Sequence, residues 1–206
     1  MMKIGVICGS HRPNSESGKV ARHIERALLE QSICDAAWLY DLGGNPLPLW
    51  DEGIWSGDEQ WQATLGPLGE QLASCDGFII VSPEWHGMVP AGLKNFFLMW
   101  TAGGELAHKP ALIVTISSAD GGSFPVAELR MSSYKNSRIC YLPEHLIVRN
   151  VESVFNEDAT NNNPDAQQYF DARLTYCLEM LGEYALAFRQ IRASGKASLE
   201  VYPSGM

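Results

Sequence analysis

Hydroxyl groups and one guanidinium are concentrated in GSHRPNSESGK, residues 9–19. The hydroxyls belong to Ser10, Ser15 and Ser17, and Arg12 supplies the cation. An apolar run precedes this stretch and a helical pattern follows it, so these groups are predicted at a helix N-terminus, which attracts anions. Several neutral donors and one cation can surround a terminal phosphate on three sides. The stretch is predicted to hold a phosphomonoester, although serines at a helix start also fit an ordinary N-cap loop.

The same stretch lacks the two common nucleotide-binding motifs. Gly9 is followed by Ser10 and His11, which does not fit GxGxxG, and no Gly stands five residues before Gly18, as a Walker loop requires. Glycines let a backbone lie along a pyrophosphate. Because the glycine spacing of both motifs is absent, a single phosphate group is favoured as the ligand.

A second polar stretch, SPEWHGMVPAGLKNFF, follows a buried strand at residues 77–82. Backbone N–H and C=O groups in such a loop can contact the edge of a flat heteroaromatic ring, and Trp85 or His86 can pack against it. Taken singly, Trp85 also fits a partly buried aromatic residue and His86 a turn residue. The candidate ring-binding residues are Pro83, Glu84, Trp85, His86 and Gly87.

Five apolar runs are predicted to form the strands that position both stretches. Because they are apolar on nearly every residue, they predict a parallel sheet covered by helices on both faces. Five strands favour a doubly wound α/β fold with the flavodoxin-like strand order 2-1-3-4-5. The predicted strands are 3–8, 36–40, 77–82, 111–117 and 145–149.

In a doubly wound sheet, ligands bind beyond the carboxyl ends of the strands, where the strand order reverses. The loops 9–17, 82–90 and 117–125 are therefore expected to converge. The remainder is predicted to include a long loop at about 43–60 and a C-terminal helix at about 164–194, within one domain covering residues 1–206. The loop's Trp50, Trp55 and Trp61 are expected either to line a pocket or to form a subunit contact.

Composition limits the class of partner. The chain has 206 residues, 46% of them hydrophobic, and a formal net charge of −9. The negative charge argues against nucleic-acid and anionic-membrane binding and favours small-molecule partners. No apolar run approaches the roughly 18 residues of a membrane span, and the N-terminus lacks a signal-peptide core, so a cytoplasmic protein is expected.

Hydrolytic and metal-dependent chemistry find little support in the sequence. GGSFP, residues 121–125, approaches the GxSxG nucleophile elbow but ends in Pro. The five cysteines contain no CxxC pair, and the five histidines show no HxxxH or HExxH spacing. No metal site is predicted.

GSHRPNSESGKVARHI and SPEWHGMVPAGLKNFF resemble two signatures of the NADPH-dependent FMN reductase family, a flavodoxin-like family. Its phosphate loop reads GSxRxxS, and PEYNxSxPxxLKN follows its third strand. DLGGNPLPLWDE also resembles the family's DL…LPL(Y/W)(D/N) segment, and the likeness covers about residues 3–150. The chain departs from the pattern at Trp85-His86, where the family has Tyr-Asn, and at Met88, where it has Ser. The acidic residue that the family often has in the helix after LKN is replaced here by the apolar stretch FFLMW.

The resemblance implies FMN as cofactor, with NADPH or NADH as reductant. It places the FMN phosphate against Ser10, Arg12, Ser15 and Ser17, and the isoalloxazine between residues 83–87 and the 117–122 loop. The residues implied in that last loop are Ser117, Gly121 and Gly122.

The resemblance also implies an activity. The expected function is ping-pong reduction of a small-molecule electron acceptor, such as a quinone, azo dye, free flavin or metal oxyanion, by a homodimer or homotetramer. Because the flavin mediates hydride transfer, no catalytic side chain is expected. The alternative is a flavodoxin-like electron carrier or regulatory FMN-binding module without nicotinamide oxidase activity.

Overall fold

The computed structural model describes residues 1–101 and 103–205 and contains a five-stranded sheet. The strands pair in the order β2-β1-β3-β4-β5, and every neighbouring pair is parallel. This confirms the predicted doubly wound fold and its strand order. The strands are β1 (Lys3–Cys8), β2 (Ala36–Asp41), β3 (Gly77–Pro83), β4 (Pro110–Ile116) and β5 (Cys140–Val148).

Helices cover both faces of the sheet. They are α1 (Glu16–Glu30), α2 (Gly53–Ser56), α3 (Glu59–Ser74), α4 (Ala91–Met99), α5 (Ser123–Ser132) and α6 (Pro164–Ala193). Two single 3₁₀ turns, Val151–Ser153 and Ala159–Asn161, connect β5 to α6. The start of α6 is fixed by Asn163, whose side-chain Oδ1 accepts the N–H of Ala166 at 3.0 Å. None of the helices in the described part of the chain combines the length and apolar character needed to cross a membrane.

Strand β5 is longer than the sequence pattern predicts. It starts at Cys140 instead of residue 145, and its pairing with β4 shifts register between Ala111 and Ile113. The first half of β5 contains Pro143, which is tolerated in an edge strand beside such an irregularity. Because a Pro within a run argues against a strand, the sequence pattern does not predict this half of β5.

Two hydrophobic cores form because side chains alternate between the faces of each strand. One core packs α1 and α6 against residues such as Val6 and Val81. The other packs α3, α4 and α5 against residues such as Phe78 and Ile80. With both faces buried, the carboxyl edge of the sheet is left for ligand-binding loops.

The opposite edge of the sheet is fastened to α6 through Asp76, which immediately precedes β3. Arg189 donates to both carboxylate oxygens of Asp76, at 2.8 and 2.6 Å, and Arg192 donates at 3.1 Å. Burial alone would raise the pKa of Asp76, but the hydrogen bonds from Arg189 and the main chain lower it below the ordinary value. These hydrogen bonds thus fix α6 to the edge of the sheet that lies away from the candidate site.

Buried thiols predict a loss of stability at alkaline pH. Burial, reinforced by the charge of Asp41, raises the pKa of Cys8 from 9.0 to about 12. The unfolded chain therefore releases the Cys8 proton at lower pH than the folded chain. The stabilising contribution is complete below pH 9 and is lost as the pH rises towards 12. At pH 10, the free energy of unfolding should have fallen by about 1.4 kcal/mol from this thiol.

Urea unfolding between pH 8 and pH 10.5 measures this effect. The Cys8→Ala variant should be less stable at pH 8 because a cavity replaces the sulfur, yet its stability should fall less steeply with pH. Parallel pH profiles for the two proteins would contradict the assignment.

Candidate functional site

The first loop joins β1 to α1 at the carboxyl edge of the sheet. The N–H of Gly9 donates to the carbonyl of Val81, at 2.8 Å, which ties the start of the loop to β3. Ser10 and Ser17 are buried, whereas Arg12 is exposed. The Oγ of Ser15 accepts the N–H of Gly18 at 3.1 Å. Ser15 is therefore the N-cap of α1, as the simpler interpretation of the serines predicted.

Capping by Ser15 leaves other donors at this helix end. The backbone N–H groups of Glu16 and Ser17 have no hydrogen-bond partner within the described residues. The carboxylate of Glu16 is compensated by the ammonium of Lys19 at 2.5 Å, which also donates to the carbonyl of Val151 at 2.8 Å. Lys19 thus has a structural role, while the free N–H groups can donate hydrogen bonds to an anion.

The second loop makes a tight turn over residues 85–88. Trp85 and Met88 exchange N–H···O hydrogen bonds of 3.1 and 3.0 Å. The two central residues, His86 and Gly87, have φ values of 52° and 75°, as in a type I′ turn. Asn and His both adopt this left-handed conformation more readily than most residues. Replacing the Asn of the family signature with His86 therefore preserves the turn.

Two side-chain contacts join the three loops. The ring of His11, in the first loop, packs edge-on against Trp85, with centroids 4.7 Å apart and an interplanar angle of 88°. The carboxylate of Glu84 accepts the N–H of Gly122, in the third loop, at 2.7 Å. The loops after β1, β3 and β4 thus lie side by side at the carboxyl edge of the sheet, and this confirms their predicted convergence.

The third loop runs from Ser117 to Gly122 and leads into α5. The Oγ of Ser117 accepts the N–H of Ala119 at 3.2 Å, and Thr115 donates to the carbonyl of Gly122 at 2.7 Å. Gly122 has a φ of 103°, and a Cβ at this position would lie 2.4 Å from Ile147. Glycine is therefore required at this point of the loop.

Comparison with known proteins identifies the family. Residues 2–153 match the family described as NADPH-dependent FMN reductase, which is well over half of the chain. The chain belongs to this family. A quinone reductase of Escherichia coli K12 is 34% identical over 119 residues, which cover 56% of this chain and 60% of the relative's length. A probable NADPH:quinone oxidoreductase 1 of rice, Oryza sativa subsp. japonica, is 28% identical over 171 residues, covering 81% of this chain and 84% of that protein.

Solved structures show the same fold as this member of the FMN reductase family. The flavoenzyme NAD(P)H:(acceptor) oxidoreductase of Paracoccus denitrificans superposes with a TM-score of 0.63 at 18% identity. The match covers 87% of this chain and 98% of that one.

The family's LKN motif has a structural role that sequence reasoning missed. Asn95, the last residue of this motif, is buried in α4 and reaches the long loop after β2. Its side-chain Nδ2 donates to the carbonyl of Pro48 at 2.8 Å, and its Oδ1 accepts the N–H of Trp50 at 2.8 Å. The sequence signal that could have indicated this contact is the presence of both family segments, LPLW and LKN, in one chain.

The three tryptophans predicted in the long loop differ in their surroundings, and two of them lie in helices: Trp55 in α2 and Trp61 in α3. Trp61 is buried and its Nε1 donates to Asp51 at 2.9 Å, whereas Trp55 is 68% exposed and packs edge-on against Trp50. Trp55 and Trp61 both line a cavity of about 750 Å³ between α3 and residues that follow α4, among them Trp100, Glu105 and Lys109. Lining a pocket is thus one role that these two residues have in the folded chain.

Proposed function

We propose that this protein binds FMN and uses NADPH or NADH to reduce a small-molecule acceptor. The convergence of the three loops at the carboxyl edge of the sheet is the observation that carries this proposal. In doubly wound folds this edge, at the reversal of strand order between β1 and β3, is the general place for ligands. Family membership and the names of the relatives support the choice of FMN and of a quinone-like acceptor.

The donors at the first loop fit a phosphate monoester. Ser10 and Ser17 are buried at the start of α1, and the Oγ of Ser10 accepts the N–H of Arg12 at 3.3 Å. The guanidinium of Arg12 is exposed and can turn towards an anion. The unpaired N–H groups at the start of α1 add the positive end of the helix dipole. Ser15 contributes by capping α1, which fixes the position of this helix end relative to the ligand.

The second and third loops would hold the ring. Residues 83–87 would lie along one side, with Ser117, Gly121 and Gly122 on the other. Bound FMN supplies the hydride and electron chemistry, so this chain needs to bind, orient and shield it and is assigned no nucleophile. The proposed contacts in the second loop are Pro83, Glu84, Trp85, His86 and Gly87.

Apolar surface beside the second loop suits a planar acceptor. Met88 is 51% exposed and Phe124 is 67% exposed. The ring of Phe124 comes within 3.9 Å of the position that a Cβ on Gly87 would take. Quinones and azo dyes can pack on such side chains. We infer that nicotinamide and acceptor use this surface in turn, which gives ping-pong kinetics.

Spectroscopy tests the proposal directly. The purified protein should be yellow or become yellow with added FMN, and NADPH should bleach it in the absence of oxygen. Steady NADPH oxidation with a quinone should follow, with parallel lines in a double-reciprocal plot. A protein that binds FMN but oxidises neither NADPH nor NADH would be the electron carrier or regulatory module instead. Failure to bind FMN would refute the proposal.

We further propose that the chain acts as a homodimer or homotetramer in the cytoplasm. Leu49 and Trp55, both between β2 and α3, are 79% and 68% exposed, and exposed apolar surface of this kind is typical of subunit contacts. Light scattering on the purified protein measures the mass in solution. A monomer at all concentrations would contradict the assembly.

A further inference from the structure

One peptide group of the third loop, between Gly121 and Gly122, is held from two sides. The Nε of Arg149 donates to the carbonyl of Gly121 at 3.0 Å. The carboxylate of Glu84 accepts the N–H of Gly122 at 2.7 Å. The C=O and N–H of a trans peptide point in opposite directions. Arg149 and Glu84 therefore grip this group from opposite sides.

The preceding peptide group is oriented by the same arginine. The Nε of Arg149 also donates to the carbonyl of Asp120 at 2.8 Å. The N–H of Gly121, which belongs to this peptide, must then point away from Arg149. It makes no hydrogen bond with the described part of the chain. A backbone donor is thus left open on the side of the loop away from Arg149.

Glycine at position 121 is needed for this arrangement. A Cβ there would lie 2.7 Å from Oε1 of Glu84 and 3.1 Å from the Oγ of Ser117. Any side chain would push Glu84 off the loop. The carboxylate can therefore close on the Gly122 N–H only because residue 121 is Gly.

We propose that Glu84 and Arg149 are positioning residues that clamp the Gly121–Gly122 peptide and so present the Gly121 N–H to an acceptor atom of the bound ring. This inference rests on the proposed function and refines it, because the side chain of Glu84 then acts through the loop. A ring that takes up electrons gains negative charge, and a fixed N–H donor stabilises that charge. The clamp should therefore favour the reduced cofactor over the oxidised one.

The first test needs no cofactor. Hydrogen exchange of the Gly122 amide, followed by NMR in FMN-free protein, reports the Glu84 contact. In Glu84→Met this amide should exchange at least about tenfold faster, since it loses its acceptor. In Glu84→Gln, whose side-chain carbonyl can still accept, the rate should stay within about threefold of the original. Equal exchange in the Met variant and the original protein would overturn the clamp.

The second test separates positioning from general structural support. The ratio of FMN dissociation constants, oxidised over reduced, follows from the midpoint potential of the bound cofactor. Glu84→Met and Arg149→Met should each lower this ratio by about tenfold, the value of one hydrogen bond. In Glu84→Gln, the ratio should stay close to that of the original protein. A purely structural role would weaken both forms equally and leave the ratio unchanged, which would overturn the inference.

A matched control is Glu144→Met, which removes a glutamate of β5 whose carboxylate pairs with Arg173 of α6. Its ratio should equal that of the original protein. If the original protein bound no FMN, the proposed function would fail, while the exchange measurement would still judge the clamp.

Discussion

FMN is expected to bind at least about a hundredfold more tightly than riboflavin, because the phosphate adds two or more charge-assisted hydrogen bonds. Riboflavin has the same ring but lacks the phosphate. The donors assigned to that phosphate are the N–H groups of Glu16 and Ser17, the hydroxyls of Ser10 and Ser17, and the Arg12 guanidinium. All of these groups lie at the start of α1 or in the loop before it.

Substitution of Arg12 sharpens this prediction. Arg12→Met should weaken FMN binding by about tenfold or more while leaving riboflavin binding unchanged, since a charged hydrogen bond contributes about 1.5–3 kcal/mol. Arg26→Met removes the same charge from α1, at a point about 15 Å along the helix from its first residue, where salt screens the interaction with the phosphate strongly. It should change neither affinity by more than about twofold.

Titration calorimetry of both flavins, at two salt concentrations, measures these differences. The preference for FMN should shrink as salt screens the phosphate contacts. Equal affinities for FMN and riboflavin would contradict the phosphate assignment, and so would equal effects of the two arginine substitutions.

The parts of the site that the sequence predicts are those determined by local order along the chain. A strand of apolar residues followed by a helix, as in Lys3–Cys8 and Glu16–Glu30, places a loop at the carboxyl edge whatever the rest of the fold does. Strand count then favours one strand order, and that order brings three loops together. Convergence of the loops is therefore predictable without knowing a single side-chain contact.

Contacts between distant residues were not predictable in this way. Glu84 reaches Gly122 across 38 positions, and Asn95 reaches Trp50 across 45. Each contact depends on a side-chain direction that is set only after the sheet has formed. Single-sequence periodicity reports which face of an element is buried, but it does not report which polar atom meets which. The roles of Asn95 and Arg149 therefore emerge only in the folded chain.

Gly9 is expected to be among the positions least tolerant of a methyl group, and the reason is contact, since its φ lies outside the left-handed region. A Cβ on Gly9 would lie 2.5 Å from Cδ2 and 3.0 Å from Cβ of Leu93, a fully buried residue of α4. Gly9→Ala must therefore displace α4 or the first loop. We expect a loss of about 1–3 kcal/mol in the free energy of unfolding, as for other overpacked sites.

Removing the clash should recover part of that loss. Leu93→Ala alone leaves a cavity and should cost about 2–5 kcal/mol. In the double variant the new methyl fills part of this cavity, so the combined cost should be smaller than the sum by about 1 kcal/mol or more. FMN affinity should follow the same order, because Gly9 fixes the start of the phosphate loop through its hydrogen bond to Val81.

Gly66→Ala is the matched control, since it adds the same methyl group to the interior of α3, where nothing lies within 4 Å. It should change the free energy of unfolding by less than about 1 kcal/mol, because the helix preference of Ala is opposed by Pro67, whose ring crowds the Cβ of the preceding residue. Urea unfolding and FMN titration of all four variants would measure both effects. Additive costs at Gly9 and Leu93, or a harmless Gly9→Ala, would show that α4 does not set the position of the phosphate loop.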